Sequence, residues 1–431
     1  MHSRRVFLTR VLGAAVLFPS IIASCGDSKA TQAGDHIKSA TAITQVFGDG
    51  QKLTAVAVEF DQDIDNSKLS TSTFNVDGRT ITKVYANTAA MIANQGTNGK
   101  CAIIELSPDD QGAALSAKVF AATGQTAIWR EAKASVTQTG TVTTTNGDMY
   151  PASTKAIATS KVANLIVDDF KQFEYKDVKT GQTLKYNLFI PKNYDKSKSY
   201  PLVLFMHDAG ATSTVTTTTL VQGLGAVVWA SPSDQTKHES FVLAPQYSTQ
   251  VVNDNSEATD DLDTTVNRVN WLTSQYSIDK NRLYTTGQSG GAMMSIAMDI
   301  KYPDLFAASF IVAGQWDPTK VKPLAQDKLW IVVSQGDLKA YPGENAITAA
   351  LEQEGANVSR AVWNGRSTAE EFAAAVKKLE TERNPIHYVA LQKGTVVPAG
   401  QTDDGGSNHI NTWQIAYTIE GIRDWIFQQH K

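Results

Sequence analysis

Residues 282–292, RLYTTGQSGGA, decide the fold of this chain. A β-prone run enters the turn from Gly287 to Gly291, and a segment with helical spacing of apolar residues leaves it. This is the G-x-S-x-G pattern in the strand–turn–helix context that gives the pattern meaning. So tight a turn strains the backbone of Ser289, and the glycines on either side let the strand and helix approach each other. We predict that Ser289 is a nucleophile held at a helix N-terminus; the alternative is a chance glycine-rich turn.

A nucleophilic serine needs a base, and the base needs an orienting acid. Among enzymes that carry a G-x-S-x-G turn of this kind, the chain order is serine, acid, histidine. Three histidines follow Ser289. His387 lies in a predicted strand and His430 is the penultimate residue, whereas His409 lies in a predicted glycine-rich loop, residues 405–409, ahead of the last helix. We predict His409 as the base and keep His387 as the alternative.

The acid is expected on the loop that follows a core strand. The apolar run 329–333 predicts such a strand, and Asp337 follows it. Asp317 comes too early in the chain, and Asp327 precedes the strand instead of following it. We therefore predict Asp337 as the acid; the alternative is an ordinary turn aspartate beside glycine.

An oxyanion hole needs two hydrogen-bond donors. We predict the backbone N–H of Gly290, directly after the serine, as one of them. The second is expected in the loop after the buried strand predicted over 202–206, where Ala209 is the candidate and Gly210 allows close approach. His207 is predicted to brace this loop.

The chain contains two regions with different secondary-structure patterns. From about residue 167, strand and helix patterns alternate, which predicts an α/β fold with a doubly wound, mostly parallel sheet that has helices on both faces. The preceding region has short strand-like runs separated by turn signals and predicts a small all-β sandwich. The predicted strands of the second region are 183–190, 202–206, 241–244, 307–312 and 329–333, and its predicted helices include 262–276 and 413–427. The predicted division is a signal over 1–25, a tether over 26–38, a β-sandwich over 39–138, a linker over 139–160 and a catalytic domain over 161–431.

The first residues are predicted to be an export signal. Residues 3–8, SRRVFL, resemble a twin-arginine signal, and the apolar run 11–22 is too short to span a bilayer. The run ends at Cys25 in a sequence that resembles a bacterial lipobox, which implies lipidation of this cysteine. We expect an exported protein anchored by lipid to a bacterial membrane, facing the periplasm or the exterior; a plain signal peptide is the alternative.

Composition excludes several classes of function. The net charge of −4 gives no electrostatic reason to expect nucleic acid as a partner. Only two cysteines are present, so lipidation of Cys25 leaves Cys101 without a partner and excludes a disulfide scaffold. Cys101 lies in an apolar run and is predicted to be buried. The acidic run 260–263 is predicted to begin a helix, and we predict neither metal nor cofactor; the oligomeric state stays open.

Five segments resemble secreted α/β-hydrolase esterases of the polyhydroxybutyrate depolymerase/feruloyl esterase type. They are 189–194, 200–204, 278–284, 287–293 and 302–308. The resemblance implies cofactor-free hydrolysis of a small-molecule or polymeric carboxylic ester through an acyl-serine intermediate. The β-region before them suggests the subgroup with an immunoglobulin-like N-terminal domain.

Two features depart from that family's pattern. Asp208 stands where glycine is usual, and the long interval between Asp337 and His409 implies an insertion before the final strand and helix. Two other functions stay open: a serine peptidase of the prolyl-oligopeptidase type, and a non-catalytic surface protein that binds through its β-region. The acyl pocket is also open, because Trp316, Tyr341 and Trp413 fit either an aromatic pocket or the core.

Overall fold

The computed structural model describes residues 36–121 and 124–431, with backbone only for residues 117–128. The predicted signal, Cys25 and most of the predicted tether lie outside the described residues. The strands of the N-terminal part are β1 Ile37–Phe47, β2 Gly50–Ile64, β3 Phe74–Val76, β4 Ile81–Asn87, β5 Gly99–Leu106, β6 Ser116–Ala121, β7 Gly124–Trp129, β8 Ser135–Gln138, β9 Val142–Thr143, β10 Met149–Tyr150, β11 Ile157–Ala158 and β12 Lys161–Asn164.

These strands form an all-β domain. Its main sheet has the order β12-β1-β2-β5-β4, and a smaller sheet has the order β11-β8-β3. Apolar side chains of both sheets, among them Val56, Ile104, Phe74 and Val136, share one core. Cys101 is buried in a second cluster on the other face of the main sheet, as predicted.

The end of this domain differs from the predicted boundary at residue 138. Strands β9 to β11 lie in the predicted linker, and β12 lies at the start of the predicted catalytic domain. Strand β11 pairs with β8, and β12 pairs in parallel with β1. The polar composition of 139–160 gave no strand pattern. Strands this short form because of the strands they pair with more than because of their own sequence.

The remaining elements build the second domain. Its strands are β13 Lys171–Lys176, β14 Thr183–Phe189, β15 Tyr200–Met206, β16 Phe241–Gln246, β17 Ile278–Gln288, β18 Ala308–Val312, β19 Leu329–Ser334, β20 Val358–Trp363 and β21 Ile386–Leu391. Its helices are α1 Thr218–Val221, α2 Leu224–Val227, α3 Pro232–Lys237, α4 Asp260–Gln275, α5 Gly290–Lys301, α6 Ala340–Gln353, α7 Ala369–Glu380, α8 Gly405–Ala416 and α9 Glu420–Phe427.

A nine-stranded sheet of order β13-β14-β16-β15-β17-β18-β19-β21-β20 forms the centre of this domain. Strand β14 pairs antiparallel with both of its neighbours, β13 and β16. In the order of the sheet, all neighbouring strands from β16 to β20 pair in parallel. The predicted α/β fold is confirmed. In such a sheet the loops after the parallel strands meet at one edge, which is where a site is expected.

The long interval between Asp337 and His409 contains several strands and helices. Helix α7 and strand β20 lie in this interval, and β21 returns to pair between β19 and β20. Strand β20 therefore forms the edge of the sheet, next to β21.

The last helix differs from its prediction in two ways. It is two helices, α8 and α9, and the predicted glycine-rich loop 405–409 is the first turn of α8. The Asp404 carboxylate caps this turn by accepting the N–H of Ser407 at 2.7 Å. The cap supplies the acceptor that a helix start needs, and so a helix forms despite Gly405 and Gly406.

Candidate active site

Ser289 lies at the sharp turn between β17 and α5. Its backbone has φ 52° and ψ −117°, the strained conformation that the sequence predicts. Its N–H donates to the Val312 carbonyl at 2.9 Å, which ties the turn to the neighbouring strand. A Cβ on Gly287 would collide with the backbone of Gly291, and a Cβ on Gly291 would collide with the Met206 carbonyl. Both glycines are therefore required by close packing.

The imidazole of His409 links the serine to a carboxylate. Its Nε2 lies 2.8 Å from Ser289 Oγ, and its Nδ1 lies 2.5 Å from Asp337 Oδ2. A carboxylate only accepts, so Nδ1 carries the proton that it donates to Asp337, and Nε2 is left to accept the serine hydroxyl proton. Trp413 holds the ring edge-on, with the centroids 5.2 Å apart.

Asp337 is fixed in its ionised form. Only 2% of the residue is exposed, and Oδ1 accepts the N–H groups of Lys339 and Ala340, both at 2.9 Å. Burial by itself raises the pKa of this carboxyl, but the hydrogen bonds from His409 and the two N–H groups outweigh it and leave the pKa below its ordinary value. The carboxylate is thus charged at neutral pH.

The competing residues lie elsewhere. His387 is buried in β21 beside Trp330, and burial lowers the pKa of its imidazole to about 4. Asp317 caps an exposed turn by accepting the N–H of Thr319, and Asp327 precedes β19. His387, Asp317 and Asp327 are absent from the walls of the cavity at Ser289, among the residues that the structure describes.

The two predicted oxyanion donors lie side by side. Ala209 begins a short 3-10 turn after β15, and Gly290 begins α5. The first N–H groups of a helix have no acceptor within it, which leaves both free for a ligand. A Cβ built on Gly290 would lie 3.5 Å from the nitrogen of Ala209.

Asp208 braces the Ala209 turn. Its Oδ1 accepts the N–H of Gly210 at 2.8 Å, and its Oδ2 accepts Gln288 Nε2 at 2.9 Å. The carboxylate therefore joins the turn to the residue just before Ser289. Gln288 is not predicted from the sequence, since its contact with Asp208 spans 80 residues; the cap of Asp208 on Gly210 has a recognisable signal, an aspartate two residues before glycine.

His207 holds the other side of this loop, as predicted. Its Nδ1 donates to the Asp208 carbonyl at 2.7 Å, and its Nε2 accepts the N–H of Tyr247 at 3.0 Å. Burial lowers the pKa of this imidazole, which suits a neutral ring with one donor and one acceptor.

A cavity of about 910 Å³ opens at Ser289. Trp413 lines it, whereas Trp316 and Tyr341 pack against the core of the domain. Three residues of the β-domain also line the cavity: Asp49, Ser116 and Trp129. No local sequence signal marks these three, since their role depends on how the two domains pack. Among the described residues no cluster of three or more histidine, cysteine or acidic side chains is arranged to hold a metal.

The strained serine turn at the end of a central parallel strand places this chain among the α/β-hydrolase folds. It belongs to the family described as "Putative esterase", whose model matches residues 178–425. The model described as "Esterase Ig-like N-terminal domain" matches residues 39–151, so the predicted resemblance to esterases with such a domain is confirmed.

Individual proteins are similar to the chain over different lengths. A solved structure described as a thermostable esterase is 28% identical and covers 91% of this chain and 100% of its own, with a TM-score of 0.78. Acetylxylan esterase A of Emericella nidulans is 33% identical over 93 residues, which are 18% of this chain and 31% of that protein. A probable acetylxylan esterase A of Aspergillus flavus is 50% identical over 48 residues, or 11% of this chain and 16% of that protein. The chain thus matches less than a third of the length of these two fungal relatives, and the likenesses together support carboxylic ester hydrolysis as the class of activity.

Proposed function

We propose that this protein hydrolyses carboxylic esters through an acyl-serine intermediate on Ser289. The observation that carries the proposal is the unbroken hydrogen-bonded series from Asp337 through His409 to Ser289. It ends beside the N–H groups of Ala209 and Gly290, where a carbonyl oxygen needs donors.

In the first half of the reaction Ser289 Oγ attacks the ester carbonyl carbon. His409 Nε2 takes the hydroxyl proton as the C–O bond forms, and Asp337 stabilises the imidazolium and keeps its orientation. The negative charge that develops on the carbonyl oxygen is accommodated by the two N–H groups; loss of one such donor costs roughly 3–4 kcal/mol in known hydrolases. The alcohol leaves with the proton from His409.

Water completes the cycle. His409 accepts a proton from the water molecule that attacks the acyl carbon, and the tetrahedral intermediate then expels Ser289 Oγ, which regains a proton from His409. The acid product leaves and the starting protonation is restored. The ester and one water molecule are the reactants that this balance requires.

Ser289→Ala and His409→Ala test the proposal directly. Each is expected to lower kcat on ethyl acetate by several orders of magnitude, on the order of 10⁴–10⁶, with an unchanged melting temperature. His387→Ala is the matched control and is expected to keep kcat. Near-normal kcat in His409→Ala with a large loss in His387→Ala would overturn the assignment of the base.

Two assays separate the alternative functions. Faster turnover of aminoacyl p-nitroanilides than of p-nitrophenyl esters would identify a peptidase. A folded protein that neither turns over esters nor reacts at Ser289 with a fluorophosphonate probe would be a binding protein.

We also propose that the protein is exported and anchored by lipid at Cys25. The support is the signal-like sequence of residues 1–25. Cells that make the protein are expected to retain it in membranes and to lose this retention with Cys25→Ala. A processed N-terminus at another residue, without acyl mass on Cys25, would contradict the anchor. No helix of the described part of the chain is long and apolar enough to cross a bilayer.

A further inference from the structure

The cavity at Ser289 is much larger than a small acyl group requires. Its volume of about 910 Å³ falls near the upper end of the roughly 300–1,000 Å³ that is usual for sites of drug-sized ligands. Ser289, Asp337, His409 and Ala209 line part of it. The remaining wall is therefore available to the part of the ester that lies away from the scissile bond.

The β-domain supplies part of that wall. Ser116 and Trp129 pair across the base of the β6–β7 hairpin, and Asp49 lies in the turn between β1 and β2. Strand β7 lies beside the turn that begins at Ala209. The indole of Trp129 thus faces the same cavity as Ser289, although its sequence position belongs to another domain.

The base of this hairpin is tied into the β-domain. The N–H of Leu115 donates to the Gln51 carbonyl at 2.9 Å, and the N–H of Arg130 donates to the Leu115 carbonyl at 2.7 Å. The β1–β2 turn packs on the catalytic domain. A Cβ built on Gly48 in this turn would lie 3.0 Å from Cβ of Gln414 in α8. Helix α8 also carries His409. The wall is therefore held in register with the triad.

Trp129 is an aromatic side chain without a full set of packing partners. It is 39% exposed, and a tryptophan so open at a cavity wall offers a flat surface for another ring or an alkyl group. Leu338, 80% exposed, adds apolar surface to the same cavity. This wall suits an uncharged group.

The charges around the cavity also favour an uncharged group. Asp49, Asp208 and Asp404 line it in addition to Asp337. The lysine of the wall, Lys339, ion-pairs with Asp254 at 2.6 Å, and Asp49 ion-pairs with Lys52 at 2.9 Å. Carboxylates still outnumber cations, so a negatively charged substrate meets net repulsion.

We infer that Trp129 forms a subsite of the β-domain for an uncharged aryl or alkyl group of the ester, and that the carboxylates around the cavity select against anionic esters. This inference rests on the proposed function. It assigns substrate selection to a domain that contributes no group to the chemical steps.

The subsite is tested by measuring kcat/KM of the full-length enzyme for three neutral esters: ethyl acetate, phenyl acetate and ethyl 3-phenylpropanoate. Trp129→Ala is expected to lower kcat/KM roughly tenfold for at least one aryl ester, while ethyl acetate stays within about twofold. Trp129→Phe keeps a ring and is expected to restore most of the loss. Trp271→Ala is the matched control, because Trp271 is 42% exposed but lies outside the cavity wall.

The possible results are distinct. An equal loss on all three esters in Trp129→Ala would mean that the residue supports the Ala209 turn and not a subsite, and unchanged values on all three would also overturn the subsite. In both cases the wild-type enzyme still hydrolyses ethyl acetate, so the proposed function stands. A wild-type enzyme that hydrolyses none of the three would overturn the proposed function itself.

An anionic analogue of phenyl acetate, 4-acetoxybenzoate, tests whether the carboxylates select against anionic esters. The wild-type enzyme is expected to hydrolyse 4-acetoxybenzoate with lower kcat/KM than phenyl acetate at low salt. The difference is expected to shrink when about 0.5 M salt screens the carboxylates and when Asp49→Asn removes one of them. Equal kcat/KM for the two esters at low salt would overturn selection by charge.

Discussion

Asp208 shows how one side chain connects two parts of the candidate site. Its carboxylate accepts hydrogen bonds from the N–H of Gly210 and from the side-chain amide of Gln288, so it sets the position of the Ala209 turn relative to Ser289. We expect Asp208→Ala to lower kcat on ethyl acetate roughly ten- to a hundredfold, because a displaced donor supports the oxyanion less well.

Asp208→Asn is the matched variant for this prediction. Its amide oxygen can accept from Gly210. Once the side-chain amide of Gln288 turns over, its Oε1, which is buried and has no partner among the described residues, can accept from the new amide N–H. We expect it to keep most of the wild-type kcat at an unchanged KM. Wild-type kcat in Asp208→Ala would show that the bridge is dispensable.

Asp327 provides a prediction about stability against pH. Burial and the charge of Asp304 raise the pKa of its carboxyl to about 7, and burial together with the charge of Asp327 also raises the pKa of neighbouring Asp299. The unfolded chain ionises Asp327 near pH 4, so the folded state loses stability between about pH 4 and pH 7 as pH rises.

We therefore expect Asp327→Asn to stabilise the protein by roughly 1–3 kcal/mol at pH 8 and much less at pH 4.5, measured by urea unfolding. Asp317→Asn is the control, since Asp317 is an exposed turn cap that asparagine also provides. An equal gain for Asp327→Asn at both pH values would contradict a raised pKa.

At the scale of elements, helix α8 depends on its cap. Asp404 holds the first turn, in which Gly405 and Gly406 contribute little helix propensity, and this turn leads directly to His409. We expect Asp404→Ala to cost about 1 kcal/mol of stability and to lower kcat, because fraying displaces the imidazole. Asp404→Asn is expected to restore both quantities, and an unchanged kcat in Asp404→Ala would show that packing alone holds the helix start.

The elements that the sequence predicts well are those whose pattern reflects burial. The apolar runs predicted β15 and β19, and G-x-S-x-G predicted the turn at Ser289. Helix α8 was missed because its start depends on a cap that offsets two glycines. The place of β21 between β19 and β20 was also beyond prediction, since strand order depends on long-range pairing rather than on any local pattern.

For the whole molecule, the division of labour between the domains is testable. The core of the catalytic domain contains buried residues from eight of the nine strands of its sheet, all except the edge strand β13, so the domain has the means to fold alone. The proximity of Ser289, His409 and Asp337 was predictable, because a local motif marks the serine turn and the other two residues were chosen by chain order and by the strand or helix beside them. Trp129 was not, because only the packing of two domains brings it to the cavity.

A chain that begins near Leu165 removes the β-domain together with β11 and β12. It is expected to keep kcat on ethyl acetate within about tenfold of the full chain and to lose more on aryl esters, because the Trp129 wall is absent. Circular dichroism is needed to establish that the shortened chain is folded. A folded shortened chain with no activity on ethyl acetate would mean that the β-domain completes the catalytic machinery itself.

The pairing of β1 with β12 has a mechanical consequence. The two strands are parallel, with Thr41 opposite Lys161 and Thr44 opposite Asn164. Strand β1 follows the N-terminal segment, and β12 leads into the catalytic domain. A force that pulls the two ends of the molecule apart therefore slides these strands past each other in shear, so that their hydrogen bonds bear the load together instead of opening one by one.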